Sequence, residues 1–164
     1  MMDHLKENIK KLAGDYKDQI ISWRRHIHQN PELSFREYNT AKYISERLSE
    51  NGIEFEDKIA DTGIVAYVKG KNPDKRTVAL RADIDALPIL EENEVPYKSS
   101  NPGVMHACGH DVHTSSLLGT GVILNNLKDQ FEGTVKMIFQ PGEEKIPGGA
   151  SIMIKEGVLE TPRP

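Results

Sequence analysis

Nine consecutive residues, Met105-His-Ala-Cys-Gly-His-Asp-Val-His113, hold three of the chain's six histidines and its only cysteine. Cys108 and His110 are separated by one glycine. A tight loop can therefore aim a soft thiolate and a borderline imidazole at one cation, a pairing that suits a transition metal. A buried structural cysteine has no reason to collect imidazoles, so Cys108 and His110 read as ligands. His106 and His113 either donate supporting hydrogen bonds to such a site or serve the fold alone. Thiol chemistry, with Cys108 as nucleophile and His110 or His113 as its base, is another use of the same residues. The apolar residues that follow, Leu117, Leu118, Gly121, Val122, Leu124 and Leu127, have helical spacing. The donors are thus expected at or just before a helix N-terminus, which favours anionic groups.

Carboxylates supply the rest of the chemistry. Glu143-Glu144 follow an apolar run and a Pro141-Gly142 turn. As a solvated turn they would be unremarkable, but two adjacent carboxylates can also divide the work, one binding metal while the other accepts a proton from water. Asp83 and Asp85 stand in an apolar context where an unpaired charge is costly, and a ligating histidine or Arg81 would satisfy them. The thiol reading leaves Glu143, Glu144 and Asp83 without a task. His26 and His28, with Arg24 and Arg25, complement the dipole at the end of a helix or contact substrate or a neighbouring loop.

The elements that must position these groups follow from periodicity. Leu5, Ile9, Leu12, Tyr16, Ile20, Trp23 and Ile27 predict one long amphipathic helix ending near Asn30, before Pro31. Ser34-Phe-Arg-Glu37 matches a capping box for a second helix, carrying Tyr38, Ala41, Ile44 and Leu48 and closed by Asn51-Gly52. Strands are predicted over 53–59, 63–68, 77–83 and 133–140, with Lys71-Asn-Pro-Asp-Lys75 as a hairpin turn between the second and third. Residues 91–103, aperiodic and containing Pro96, Pro102 and Gly103, read as a long functional loop. The third strand, the helix after Cys108 and the fourth strand make a βαβ unit, so those two strands are expected to run parallel in one sheet. That topology gathers Asp83, Asp85, Glu143, Glu144 and the Cys108/His110 loop outside the carboxyl ends of the strands.

The 164 residues, 37% hydrophobic, suit one domain with a substantial core. A formal net charge of -4, with no basic stripe, argues against nucleic acid as a partner. One cysteine makes no internal disulfide, no signal segment opens the chain, and no apolar run approaches about 18 residues. A cytoplasmic protein without membrane contact is expected.

Four motifs in order, Trp23-Arg-Arg-His-Ile-His-Gln-Asn-Pro-Glu-Leu33, Leu80-Arg-Ala-Asp-Ile-Asp-Ala-Leu-Pro88, Met105-His-Ala-Cys-Gly-His-Asp111 and Phe139-Gln-Pro-Gly-Glu-Glu144, resemble the M20 family of metallopeptidases and amidohydrolases. Within it they are similar to the branch of aminoacylase, hippurate hydrolase and indole-acetyl-amino-acid hydrolase type. The resemblance implies a three-layer α/β/α, zinc-peptidase-like catalytic domain with a mixed sheet, incomplete on its C-terminal side. It also implies a hydrolase with two divalent ions (Zn, Mn or Co) that cleaves the amide bond of N-acyl amino acids or small peptides. Carried over, Cys108, His110 and Glu144 are metal ligands, with Cys108 a bridge between ions. Glu143 is the general base, and Asp83 orients the metal site. Arg81 stands where other branches carry a ligating histidine, which is usual for the cysteine-containing branch. His106, His113 and Asp85 are supporting or substrate-contacting candidates. Family members continue beyond Pro164 into a further Gly-Leu-His segment, a lid domain that commonly forms a homodimer interface, and another ligating histidine. Residues 1–164 are therefore expected to be the amino-terminal portion of the catalytic domain and nearly inactive alone. A non-catalytic metal-binding or regulatory protein on the same fold is the rival expectation.

Overall fold

In the computed structural model, which describes residues 2–164, helices α1 (Met2–Asp15), α2 (Lys17–Gln29) and α3 (Tyr38–Glu50) precede strands β1 (Glu54–Ile59), β2 (Gly63–Lys69) and β3 (Thr77–Asp83). Helix α4 (His110–Asn126), strand β4 (Thr134–Gln140) and helix α5 (Gly149–Lys155) complete the chain. The strands form one mixed sheet in the order β1-β2-β4-β3. β3 and β4 are parallel, with Thr77 opposite Thr134 and Asp83 opposite Gln140, as the βαβ reading requires. β1 and β2 are antiparallel, and so are β2 and β4.

Alternation along the strands divides the interior in two. Ile64, Ala66 and Val68 of β2, Ala82 of β3, and Met137 and Phe139 of β4 pack against Trp23, Ile44, Leu48, Leu117, Leu118 and Val122 from α2, α3 and α4. The opposite face is covered more thinly, by Val65 and Ile138 packed with Ala60, Met153 of α5 and Val158. Helices on both faces of a mixed sheet make the α/β/α arrangement. No helix among the described residues is long and apolar enough to cross a membrane.

Three local expectations are corrected. The segment Lys71-Asn-Pro-Asp-Lys75 does not close a hairpin, because β4 lies between β2 and β3; its centre is a short 3₁₀ turn, Pro73–Lys75. The first helix is two, separated at Tyr16 (φ -92°, ψ -2°), after the weak helix formers Gly14 and Asp15. Ser34 and Glu37 do not form a capping box. Helix α3 begins at Tyr38, and Glu32 does the capping from outside it: one carboxylate oxygen accepts from the Asn39 amide (3.2 Å), the other from the Thr40 amide (2.7 Å) and hydroxyl (2.9 Å). Ser34 and Glu37 are thereby free for the site described below.

The long loop is a strap fastened to the end of α2. Buried Glu91 accepts from the Ser99 amide (2.6 Å) and meets His28 Nε2 at 3.0 Å. The amide and hydroxyl of Ser100 donate to the Gln29 carbonyl (2.8 and 2.7 Å), and the Asn101 side-chain amide donates to the Pro31 carbonyl (2.8 Å). Burial pushes the Glu91 carboxyl up, but the hydrogen bonds from His28, Ser99 and Asn93 outweigh it and bring it down to about 2.

Glu32→Ala should cost about 1–2 kcal/mol in chemical denaturation, as for loss of a helix cap. Loss of less than a few tenths would deny Glu32 that role. Glu91 contributes stability that is complete above its ordinary value of 4.5 and lost as pH falls toward about 2. Glu91→Gln should accordingly flatten the acid limb of a melting-temperature profile; an unchanged acid limb would refute this.

Candidate metal centre and active site

β3 and β4 end side by side, and α4 begins beside their carboxyl ends. Asp83 is the last residue of β3, and Glu143 and Glu144 follow β4 by a Pro-Gly turn. Gly109 (φ +89°), in the left-handed region that glycine tolerates, turns the chain from Cys108 into the first helical residue, His110. Three segments distant in sequence, the end of β3, the start of α4 and the turn after β4, thereby meet at one imidazole.

His110 has two distinct sides. Its Nδ1 lies 3.0 Å from the Asp85 carbonyl oxygen and 3.2 Å from Asp85 Oδ1, so an Nδ1–H is donated there. Its Nε2 faces Asp83 Oδ2 at 3.7 Å, Glu143 Oε2 at 3.9 Å and Glu144 Oε1 at 4.0 Å. Those separations are too long for hydrogen bonds. They approach the spacing of donors around a shared ion, about 3.3 Å on a tetrahedron with bonds of about 2.0–2.1 Å. Two sets of donors lie mutually within 4.8 Å: Cys108, His110 and Glu144, and Asp83, His110 and His113. With Nδ1 committed to Asp85, Nε2 is the nitrogen both sets share. The residues fit a metal ion, with His110 in the pattern of a carboxylate-oriented imidazole ligand.

The surroundings favour positive charge. Burial opposes the His110 imidazolium, but the Asp85 hydrogen bond, Cys108 and the Asp83 charge push its pKa up to about 11. An ion bound at Nε2 would replace that proton. Asp85 is fully buried and its carboxyl would rise for that reason, yet bonds from His110, Ser34 and the amides of Glu144 and Glu143 hold it down at about 2. Ser34 Oγ donates to Asp85 Oδ2 (2.6 Å), as does the Glu144 amide (2.9 Å). Arg81 is ion-paired with Asp83 Oδ1, and its Nε donates to Gln140 (2.7 Å). The Thr114 hydroxyl donates to the Asp83 carbonyl (2.8 Å), joining α4 to the strand end.

The sequence-selected residues thus take different places. Asp83, Cys108, His110, His113, Glu143 and Glu144 converge; Asp85 stands behind His110, and Arg81 behind Asp83. His113, one turn beyond His110, is half exposed, with Nδ1 3.6 Å from Asp83 Oδ2. His106 does not join them. It is buried, its pKa lowered to about 4 by that burial, and neither ring nitrogen has a protein partner among the described residues. Its neighbour is His28, ring centroids 6.4 Å apart.

Sequence reasoning missed a network beneath the site. His28 Nδ1 lies 2.7 Å from Asp111 Oδ2, which is also 2.7 Å from Arg24 Nε, while His28 Nε2 holds the strap through Glu91. Asp111 directly follows His110, so α2 braces the first turn of α4. Of the two options for His28, the neighbouring-loop contact is the one found; His26 instead stacks on Tyr43 at 4.0 Å. The Arg-Arg-His-Ile-His spacing carried a signal, because His28 lies four residues after Arg24 and so on the same helix face.

This architecture has known counterparts. An N-acyl-L-amino acid amidohydrolase of Geobacillus stearothermophilus is 48% identical over 155 residues, covering 94% of this chain and 42% of that protein. Thermostable carboxypeptidase 2 of Saccharolobus solfataricus is 48% identical over 157 residues, covering 94% of this chain and 40% of its own length. A solved Bacillus subtilis structure, described as a dinuclear metal binding peptidase from the M20 family, superposes with a TM-score of 0.82 at 44% identity. It covers 89% of this chain and 41% of that one. The chain therefore spans about two fifths of the length of these proteins. Residues 79–164, more than half of the chain and including every candidate ligand above, match the description of peptidase family M20/M25/M40. The chain belongs to peptidase family M20/M25/M40.

Proposed function

We propose that this chain carries the metal-binding and water-activating residues of a hydrolase that cleaves the amide bond of N-acyl amino acids or small peptides. The observation that carries the reading is the meeting of two donor sets at His110 Nε2 with a further carboxylate, Glu143, beside them. Similarity to an amidohydrolase and a carboxypeptidase supports amide cleavage. Residues 1–164 correspond, on this reading, to the amino-terminal portion of the catalytic domain. A lone thiol ligand suits a reducing, cytoplasmic setting.

Cys108, His110 and Glu144 would hold the first of two divalent ions, with Asp83 and His113 beside it. When bound, such ions lower the pKa of water and polarise a carbonyl oxygen. The chain's own residues do the rest. Asp85 fixes the His110 tautomer, leaving Nε2 as the donor, and Arg81 holds Asp83 in place. Glu143, partly exposed at the mouth of the cluster, takes a proton from water as its oxygen bonds to the acyl carbon. It returns that proton to the amide nitrogen as the C–N bond breaks, so base and acid are the same carboxyl group.

The tests separate ligand from base. Cys108→Ala should weaken retention of zinc, manganese or cobalt by ~100-fold or more, read by metal analysis after dialysis, since removing a ligand exceeds the 10–100-fold cost of losing its support. Undiminished retention would remove Cys108 from the site. In a catalytically competent version of the protein, Glu143→Gln should keep its metal and lose ~10²–10⁴-fold in turnover of N-acetyl amino acids. Full turnover in that variant would reject Glu143 as the base.

A further inference from the structure

In the segment Glu32–Glu37, Glu32 caps α3 and Ser34 bonds Asp85, but the last residue is a carboxylate that the fold has no evident reason to bury. Glu37 is 0% exposed, and among the described residues it makes no ion pair. Its Oε1 accepts from the Gly142 amide at 2.8 Å and its Oε2 from the Thr62 hydroxyl at 2.7 Å. Burying a carboxylate without a cation is costly, and a glutamine could occupy the same space at lower cost. Burial pushes the Glu37 carboxyl up while the bonds from Thr62 and Gly142 oppose that shift, and in its ionised form it accepts hydrogen bonds roughly twice as strong as a neutral acceptor does.

That advantage falls on one turn. Gly142 immediately precedes Glu143 and Glu144, and its φ of +57° lies in the left-handed region. A Cβ there would come within 2.4 Å of the Phe35 ring, so Phe35, two residues before Glu37, packs directly on the Gly142 backbone. The Gly142 carbonyl accepts from the Gly149 amide at 3.0 Å, and two residues further on the Glu144 amide donates to Asp85. The turn is therefore pinned at two amides by two buried carboxylates, Glu37 from the start of α3 and Asp85 from the end of β3.

We propose that Glu37 is a positioning residue: through the Gly142 amide it sets the turn that presents Glu143 and Glu144 to His110. The proposal rests on the reading of Glu144 as ligand and Glu143 as base. Glu37 touches neither metal nor substrate; Phe35 supplies the surface and Glu37 the tether. Asp85 fixes the far end of the same turn and the imidazole together. Without Glu37 the Glu144 end stays attached while the Gly142 end is released, so the carboxylates keep their neighbourhood and lose their aim.

The test uses cobalt(II) as the probe metal on the 164-residue chain. Cobalt reports Cys108 through its thiolate charge-transfer band and the whole coordination geometry through its d–d bands. Glu37→Leu, which removes both acceptors at similar volume, should weaken cobalt affinity ~10–100-fold and shift the d–d bands. The thiolate band should persist at saturating cobalt, because the Cys108 loop is not attached to Glu37. Glu37→Gln, which can still accept from Gly142, should recover most of the affinity and the native d–d spectrum; a purely space-filling role would make leucine and glutamine alike. Wild-type affinity and d–d bands in a folded Glu37→Leu protein would overturn the proposal. Should that variant not fold, amide exchange of Gly142 in the wild type and in Glu37→Gln decides. Slow exchange in the wild type that quickens in the glutamine protein supports the tether, and an unprotected Gly142 amide in the wild type overturns it. If wild-type protein shows no thiolate-to-cobalt band, the metal-centre reading falls and this proposal with it.

Discussion

The carboxylate of Asp85 is where the separate parts of this fold are joined. Oδ1 and the backbone carbonyl of the same residue face His110, which begins α4, while Oδ2 accepts from Ser34 and from the amide of Glu144. Four chain segments, spaced over more than a hundred residues, thus converge on one fully buried side chain. Such a group is stable only when its oxygens are satisfied, because an uncompensated buried charge is far more expensive than the hydrogen bonds that relieve it. The strand end, the helix start and the carboxylate turn therefore cannot shift independently. Any movement of one leaves Asp85 short of a partner, and a site assembled from distant segments acquires rigidity in this way.

The need for such rigidity comes from electrostatics. Asp83, Glu143 and Glu144 all approach one imidazole nitrogen, and among the described residues the one guanidinium ion-paired with any of them is Arg81, through Asp83. Like charges at these distances would separate if the backbone allowed it. The parallel pairing of β3 and β4 prevents that, because matched register from Thr77 and Thr134 to Asp83 and Gln140 forces the two strands to end together. Repulsion that cannot be relaxed by moving apart is relieved by positive charge, and the His110 imidazole, its pKa raised by the Asp85 hydrogen bond, Cys108 and the Asp83 charge against the opposing effect of burial, lies at that point. The same repulsion becomes attraction for a divalent ion.

How much of this could be read beforehand depended on the range of the interactions. The α4 helix, the four strands and the parallel β3/β4 pair follow from local periodicity and from the handed geometry of a strand-helix-strand unit, and they are found as expected. The hairpin at Lys71-Asn-Pro-Asp-Lys75 fails because the partner of β2 arrives some seventy residues later: Val65 pairs with Ile138, a choice that no local turn signal could announce. The capping box at Ser34 and Glu37 fails for a related reason. Both side chains have the right chemistry for a helix start, but more demanding partners, Asp85, Thr62 and Gly142, lie elsewhere in sequence. At the site, Cys108, His110 and Glu144 stand out in the sequence as candidates because ligand chemistry restricts residue types, and the fold brings the three together. The supports Ser34, Glu37, Glu91 and Asp111 do not stand out, since any buried acceptor of the right reach could serve, and reach is a property of the fold.

A division of labour follows from these two kinds of residue. Those facing His110 Nε2 are exposed or half exposed in part, with Glu143 and His113 both accessible to solvent. Those behind it are sealed: Asp85, Asp111 and Glu37 are each 0% exposed. Each sealed carboxylate binds structural neighbours of the same cluster, Asp85 the imidazole and the Glu144 end of the turn, Asp111 the α2 helix through Arg24 and His28, and Glu37 the Gly142 end of the turn. Carboxylates are unusual choices for supports, since amides or hydroxyls could make the same hydrogen bonds with less desolvation. Their advantage is strength per bond together with negative charge, which adds to the field at the cluster. One layer of buried carboxylates thus holds the backbone elements around the cluster at fixed positions, and in ionised form adds negative charge behind its open face.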